Sequence, residues 1–180
     1  MRDPKDITIN GKQLSEILEA HRKWLHGEEG GECANLYSAD LRSANLYSAD
    51  LSSANLYSAD LRSAKNIEQA DAITRIIPDG DIIGWKRCSE GIVKLLIPAK
   101  AKRSNATGRK CRAEYAVDKG HFTFDGKRTR KEFTSTYDRD FVHKVGETIK
   151  PNNWDENRWA ECSSGVHFFI TRWEAENYNS

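Results

Sequence analysis

The most regular feature of the chain is an apolar residue at every fifth position between residues 34 and 64. On an α-helix a step of five residues rotates a side chain by about 140°, and on a strand it alternates between the two faces, so neither element buries all of these residues together. A backbone that turns a corner after each five-residue unit would bury them together, because each unit then points its apolar side chain at one common axis. We therefore predict a coil with an interior of alanine and six leucines: Leu36, Leu41, Leu46, Leu51, Leu56 and Leu61.

The units ANLYS and ADLRS resemble the pentapeptide-repeat family, whose pattern is A-(D/N)-L-x-x. The resemblance implies a short right-handed, quadrilateral parallel β-helix with four units in each coil. Residues twenty apart would then stack at roughly 4.8 Å, which places Tyr37 beside Tyr57 and Arg42 beside Arg62. Six units make only about one and a half coils, so we expect the rest of the chain to cover the coil ends.

An amphipathic pattern in the sequence KQLSEILEAHRKWLHG predicts one helix before the repeats, ending near Gly27. We expect this helix to cover the first coil, because an uncovered coil end is an exposed sheet edge. A helix that binds a partner is the alternative. The face that we expect to be buried consists of Leu14, Ile17, Leu18, His21 and Leu25.

Beyond the repeats, short runs rich in β-branched and aromatic residues predict an α+β domain over residues 73–180. The C-terminal run TRWEAENYNS predicts a short helix, with Thr171 as N-cap and Glu174 as its capping-box partner. The stretch around Pro151 is expected to be a loop. The predicted strands lie in DIIGWKRC, GIVKLLIP, AEYAVD, HFTF, EFTSTYD and GVHFFIT.

The phrases GWKRCSEGIVKLLIPAKAKRSNATGRKCRAEY and ECSSGVHFFITRWEAENY resemble a domain found C-terminal to short pentapeptide repeats in many phage and bacterial proteins. The resemblance implies an architecture and a phage or prophage setting, but no activity and no catalytic residue. The predicted chain is β-rich, with a capping segment at 1–32, the repeat β-helix at 33–72 and the α+β domain at 73–180.

Composition favours a cytoplasmic protein. The longest apolar runs, such as GIVKLLIP, are too short to cross a bilayer, and the N-terminus MRDPKDITIN lacks the apolar core of a signal peptide. The 4 cysteines have no paired spacing, which favours a reducing compartment over a disulfide framework. We expect no metal, no cofactor and no membrane association.

Charge is uneven along the chain, with 20 Lys and Arg against 15 Asp and Glu in residues 73–180. Basic residues clustered in this way can neutralise phosphates, so nucleic-acid or phosphate binding is one alternative function, and a solvated basic loop is the plainer interpretation. The residues concerned are Lys100, Lys102, Arg103, Arg109, Lys110 and Arg112.

A second alternative is a small-ligand or nucleotide-binding domain, with or without enzymatic activity, in residues 73–180. It would place a ligand pocket where the loop at 151–161 meets the basic segment, and ordinary aromatic packing is the competing interpretation. The predicted pocket residues are Trp154, Arg158, Trp159 and His167.

The leading hypothesis is a non-enzymatic interaction protein encoded by a phage or prophage, which binds and inhibits a host macromolecule such as a defence or nucleic-acid-processing protein. No catalytic constellation is apparent in the sequence. A monomer or a laterally associated dimer is expected, with a host protein as partner. Tyrosine is favoured at protein interfaces for its large, stiff, amphipathic surface, and lateral packing of the tyrosines against the C-terminal domain is the competing interpretation. The predicted contact residues are Tyr37, Tyr47, Tyr57, Arg42 and Arg62.

Overall fold

The computed structural model describes residues 1–178, which form two compact units. The first unit contains residues 1–75 together with 106–108, and the second contains residues 76–105 and 109 onward. Each unit has its own buried core, and most of the regular structure is β, as predicted. None of the helices within the described residues is long and apolar enough to span a bilayer.

The first unit begins with a small hairpin and the predicted helix. A 3₁₀ turn at Pro4–Asp6 precedes the two strands of the hairpin, whose turn residues Asn10 and Gly11 both have positive φ. The Glu16 carboxylate caps the helix by accepting a hydrogen bond from Gln13 N–H at 3.1 Å. The elements are β1 (Thr8–Ile9), β2 (Lys12–Gln13) and α1 (Leu14–Leu25).

Each repeat unit makes the same corner. The Asn or Asp side chain before the leucine accepts a hydrogen bond from the backbone N–H two residues later, as when Tyr37 N–H donates to Asn35 Oδ1 at 3.2 Å. The next alanine N–H donates to the leucine carbonyl, as from Ala39 to Leu36 at 3.1 Å. The serine that precedes each alanine lies in the left-handed region in all six units, with φ between 54° and 64°. The same turn therefore recurs in every unit, and it accounts for the Asn or Asp that precedes each leucine.

Units twenty residues apart lie side by side, as the four-unit coil predicts. Leu36 N–H donates to the Asn55 carbonyl at 2.8 Å, and Asn55 N–H donates back to the Ala34 carbonyl at 3.0 Å. All six leucines are at most 4% exposed, so the predicted leucine interior is confirmed. Three parallel bridges record the stacking: Asn35–Asn55, Asp40–Asp60 and Asn45–Lys65.

Both ends of the coil are covered by residues from elsewhere in the first unit. Arg2 forms a parallel bridge with Ala44, so it occupies the place of a preceding layer. On α1, the buried His21 accepts a hydrogen bond from Ala34 N–H through Nδ1 at 3.1 Å. The predicted capping role of α1 is thus shared with Arg2. A helix end alone cannot pair all the backbone N–H and C=O groups at the open edge of the coil.

At the far end, the prediction that the repeats continue to residue 72 is wrong. Residues Glu68–Thr74 form helix α2. The five-residue period stops before this segment, because Asn66 and Asp71 stand at the positions where the next two leucines would fall. Instead, the Gln69 side chain accepts a hydrogen bond from Leu51 N–H at 2.6 Å and donates to Asp50 Oδ1 at 2.7 Å. The Gln69 side chain therefore forms hydrogen bonds with the Leu51 N–H and the Asp50 carboxylate, which would otherwise face a further layer of the coil.

The second unit is built from three antiparallel sheets. In the largest sheet the order is β11-β7-β4-β3, with β8 also paired to β7; a second sheet has the order β12-β6-β5, and β9 pairs with β10. The strands are β3 (Ile82–Arg87), β4 (Gly91–Ile97), β5 (Arg103–Asn105), β6 (Cys111–Ala113), β7 (Ala116–Thr123), β8 (Arg128–Thr129), β9 (Phe133–Thr134), β10 (Val142–His143), β11 (Thr148–Ile149) and β12 (Val166–Phe168).

The only helix among the described residues of the second unit is α3 (Arg172–Glu176), so the predicted α+β domain is mainly β. Its predicted capping box is confirmed, since Glu174 N–H donates to Thr171 Oγ1 at 3.2 Å and Thr171 N–H donates to Glu174 Oε2 at 2.9 Å. The core between the sheets includes Val93, Leu95 and Phe168, each fully buried.

Candidate functional site

Two of the predicted contact tyrosines form an exposed stack on the coil. Tyr37 and Tyr57 occupy the same position in units twenty residues apart, and their ring centroids lie 5.9 Å apart with 5° between the ring planes. They are 55% and 49% exposed. We call this pair the tyrosine ladder. Tyr47, which is 76% exposed, belongs to the unit two corners away and does not join the stack.

The predicted contact arginines are neutralised within the coil. Arg42 binds Asp40 through two hydrogen bonds of 2.8 Å, and Arg62 pairs with Asp60 in the same way one layer on. Arg42 Nε also lies 3.8 Å from Asp60 Oδ2, so the two layers are linked. The hydrogen bond from Arg42 lowers the pKa of Asp40 well below its usual range. Arg2 Nη1 also lies 3.5 Å from Asp40 Oδ1, so three guanidinium groups share two carboxylates and each guanidinium has an acidic partner.

The basic cluster predicted for nucleic acid is dispersed by the fold. Lys102 pairs with Glu156, and Arg109 Nε lies 2.5 Å from Glu174 Oε1. Arg103 donates to the Gly80 carbonyl at 2.7 Å. Lys100 is exposed and has no ion pair recorded among residues 1–178. The structure does not bring these four cations together as an unpaired basic patch.

Arg112 belongs to the same predicted cluster but is buried, with 1% of its surface exposed. Its guanidinium donates to three backbone carbonyls, from Asp155 at 3.1 Å, Asn157 at 2.7 Å and Ser164 at 2.7 Å. The guanidinium also lies over the Trp154 ring, 5.1 Å from its centroid. Arg112 therefore fixes the loop of residues 153–164 from inside, and it is not available to phosphate.

A cavity of about 480 Å³ does lie in the second unit, but with a different lining from the predicted one. His167 lines it, whereas Trp154, Arg158 and Trp159 do not. The Arg158 guanidinium instead lies over the Trp159 ring, 4.3 Å from the ring centroid, and its Nε donates to the Asn105 carbonyl at 2.8 Å. The predicted loop–basic-segment pocket is thus corrected: Lys110 and Pro151 reach the cavity, and the tryptophans pack elsewhere.

The cavity residues that sequence reasoning missed include two with strong chemical character. Lys86 projects from the side of β3 that also carries Ile82, Gly84 and Cys88, and the opposite side of the strand carries Ile83. Alternation along the strand could have shown this lysine at an inward position. Tyr178, near the C-terminus, closes part of the wall, and nothing in the local sequence marks it as a lining residue.

The ionisable groups of the cavity are shifted by burial. Burial lowers the pKa of Lys86. It also lowers the pKa of His167 to about 4, so this imidazole is neutral near pH 7. For Lys110, burial works against the charged form, but contacts with the Cys162 sulfur and Tyr178 outweigh it and raise the pKa. The Lys110 ammonium therefore stays charged, 3.3 Å from Cys162 Sγ and 3.4 Å from the Tyr178 hydroxyl.

A separate cluster of three buried polar side chains lies beside β7 of the largest sheet. His121 Nε2 donates to Asp118 Oδ2 at 2.8 Å, and His143 Nδ1 lies 3.5 Å from the same oxygen. Burial alone would raise the pKa of Asp118, but the contacts with His143 and His121 outweigh it and lower the pKa. All three side chains are fully buried, so they stabilise the interior and do not reach a substrate.

The cysteines offer no assembled metal site. All four are free thiols, and burial raises the pKa of Cys88 and Cys111 to about 12, which makes both poor nucleophiles. Within residues 1–178 no group of three or more His, Cys, Asp or Glu side chains is placed to hold a metal ion.

Comparison with known families divides the sequence in two. A family model described as "Family of unknown function (DUF5758)" matches residues 73–175, and a model of pentapeptide repeats matches residues 33–65. No curated protein and no solved structure matches the chain.

Proposed function

The chain belongs to the family of unknown function DUF5758 and carries pentapeptide repeats before that domain, and on this basis we propose that it is a non-enzymatic interaction protein. The partner is a protein, and the contact surface is the tyrosine ladder of Tyr37 and Tyr57. In this proposal the repeats form a short stretch of right-handed quadrilateral β-helix whose corners present the ladder.

The observation that supports this function is the exposed, ordered stack of the ladder. Two parallel rings 5.9 Å apart hold each other in one orientation, so little side-chain entropy is left to lose when a partner covers them. Tyrosines are enriched among the residues that contribute most to protein interfaces. A surface that is aromatic, half exposed and already ordered is suited to bind an apolar patch with polar edges.

The charges beside the ladder favour a protein partner over a nucleic acid. Arg42 and Arg62 already pair with Asp40 and Asp60, so few counterions would be released when a phosphate approached this face. Nucleic-acid binding through the second unit is less well supported than the sequence suggested, because Arg112 is buried and Lys102 and Arg109 are paired with carboxylates.

We place the protein, following the resemblance of its sequence, in the cytoplasm of a bacterial host as a phage or prophage product. Its target would be a host defence or nucleic-acid-processing protein, which it blocks by occupying a contact surface. It would act as a monomer or as a laterally associated dimer.

The ladder can be tested with a matched pair of variants. Ser52 occupies the ladder position in the fourth repeat, so serine is compatible with this corner. We expect the double variant Tyr37→Ser/Tyr57→Ser to lose retention of a specific host protein in affinity capture, and to weaken its binding at least about tenfold when the interaction is titrated. Tyr47→Ser removes a more exposed ring from another corner and should bind like wild type.

Loss of binding in the Tyr47 variant with retention in the double variant would contradict the assignment of the surface. Retention of nucleic acid that weakens as salt is raised would instead support the nucleic-acid alternative. If the ladder joined two copies of this chain, the double variant would change the mass measured by light scattering.

A further inference from the structure

We propose that the cavity of the second unit is a binding site for a small organic anion, with the acid group of the ligand paired to Lys86. This site lies in a different unit from the tyrosine ladder and does not depend on the proposed function. The ligand class is a phosphate or carboxylate attached to a flat or aromatic group.

The first argument is the isolation of the Lys86 ammonium. Its β3 position pairs with Val93 of β4, a fully buried core residue, so the ammonium lies beside an apolar neighbour. Among residues 1–178, no Asp or Glu lies within salt-bridge distance of it, and no hydrogen bond to it is recorded. The side chain is half-buried, and an ammonium that loses part of its hydration is stabilised by an opposite charge nearby. An anion in the cavity would supply the missing partner.

The second argument is the charge of the whole lining. Lys86, Arg87 and Lys110 carry positive charge, and His167 is neutral near pH 7. The acidic group in the lining is Asp138, whose Oδ1 already accepts a hydrogen bond from the backbone two residues later. The described part of the lining is thus positive overall. An electrostatic field of this sign in a recess attracts anions and repels cations.

Donor geometry adds specificity. His167 Nε2 donates to the Ser163 carbonyl at 2.8 Å, so the neutral ring offers no donor to the acid group, which must be bound by the other lining residues. Arg87 Nη1 donates to the Glu176 carbonyl at 2.6 Å, so this guanidinium is held in place at the edge of the cavity. Ser135 and Thr136, which carry hydroxyl groups, are also lining residues. A phosphate or carboxylate would find charged and neutral donors together.

The third argument concerns the apolar part of the wall, which is made by aromatic rings. Phe141, Phe169 and Tyr178 line the cavity, and Phe169 and Tyr178 touch with ring centroids 5.0 Å apart. A volume of about 480 Å³ is within the usual range for sites that hold a small organic ligand. Aromatic walls favour a flat group, so an acid attached to a ring fits both the charge and the shape.

The proposal is tested on the whole chain by titration with phenyl phosphate, benzoate and the uncharged analogue benzyl alcohol, monitored by amide chemical shifts. We expect phenyl phosphate or benzoate to shift amides of the lining such as Gly165. Benzyl alcohol should bind at least about tenfold more weakly, because a hydrogen bond to a charged group contributes that much. The stronger of the two anions identifies the acid group.

Lys86→Met keeps the length of the side chain and removes its charge. We expect this variant to lose the preference for the anion over benzyl alcohol, while Lys100→Met, at an exposed position outside the cavity, keeps wild-type affinity. Without ligand, Lys86→Met should have a higher Tm than wild type, because an unpaired and partly desolvated charge has been removed.

Three results would overturn the site. These are equal affinity of wild type for phenyl phosphate, benzoate and benzyl alcohol, unchanged anion affinity in Lys86→Met, or anion-induced shifts confined to residues outside the lining. A lower Tm of Lys86→Met without ligand would show that the ammonium stabilises the fold, and would also contradict the proposal.

Discussion

Asn55 shows how one side chain can determine both the corner and the stacking of the coil. Its Oδ1 accepts a hydrogen bond from Tyr57 N–H at 3.1 Å, and its Nδ2 donates to Asn35 Oδ1 in the neighbouring layer at 3.0 Å. We expect Asn55→Ala to lower the free energy of unfolding by about 1–2 kcal/mol, measured by urea denaturation. Asn55→Asp keeps the turn acceptor but loses the cross-layer donor, so it should cost less. An alanine variant as stable as wild type would contradict this account.

The left-handed serines lead to a second prediction. Ser58 has a φ of 58°, a conformation that β-branched residues avoid. Ser58→Val should therefore destabilise the coil by about 1–2 kcal/mol, whereas Ser58→Gly should stay close to wild type. The comparison of the two variants by thermal unfolding separates backbone strain from loss of the hydroxyl. Equal Tm values would show that the corner does not require positive φ.

At this scale the sequence predicted the leucines and the stacked tyrosines, but not the serines or Lys86. The repeated Ser could have indicated a special backbone conformation, since the same residue type ends every unit. Serine is not a typical left-handed residue, and local propensity favours Gly or Asn there. Lys86 was missed because a single lysine in an apolar strand is usually exposed; alternation allowed an inward position, and the register with β4 places it beside Val93.

The strands of the second unit depend on close contacts that one extra carbon would disturb. A Cβ atom at Gly84 of β3 would lie 2.6 Å from Phe168, which is fully buried. We expect Gly84→Ala to cost about 1–3 kcal/mol of stability, because overpacking a core forces side chains out of place. Ile83→Ala changes the neighbouring residue on the other side of the strand, where the side chain is 38% exposed, and should cost less. Tryptophan fluorescence during denaturation measures both, and a stable Gly84→Ala variant would contradict the packing.

Element prediction was most successful where periodicity and capping agreed. Helix α1 and the capping box of α3 follow the sequence pattern. Alternation failed in β7, where a bulge interrupts the pairing with β4 and leaves Asp118 and His121, three residues apart, on one side. A bulge depends on the partner strand, so the sequence of β7 alone could not reveal this buried contact. Helix α2 was missed for a similar reason. Its Gln69 side chain bonds to Leu51 at the end of the coil, and this contact is not visible in the local sequence.

The stability of the whole molecule should fall below pH 6.5. Burial lowers the pKa of His143, and it lowers the pKa of His167 from 6.5 to about 4, so the unfolded chain binds protons that the folded chain does not. That difference removes stability as the pH falls from 6.5 towards 4, on the order of 2–3 kcal/mol for His167. His167→Gln should reduce the pH dependence of the unfolding free energy over this interval. The same slope in the variant and in wild type would contradict the assignment.

The coil and the ladder depend on one claim, that residues twenty apart share a face because four corners complete each turn. Nuclear Overhauser effects between assigned tyrosine rings test it most directly. Tyr37 and Tyr57, with ring centroids 5.9 Å apart, should give cross-peaks between their ring protons, and Tyr47 should give none with either ring. Cross-peaks between Tyr37 and Tyr47, or their absence between Tyr37 and Tyr57, would contradict the stacking and the interaction surface proposed from it.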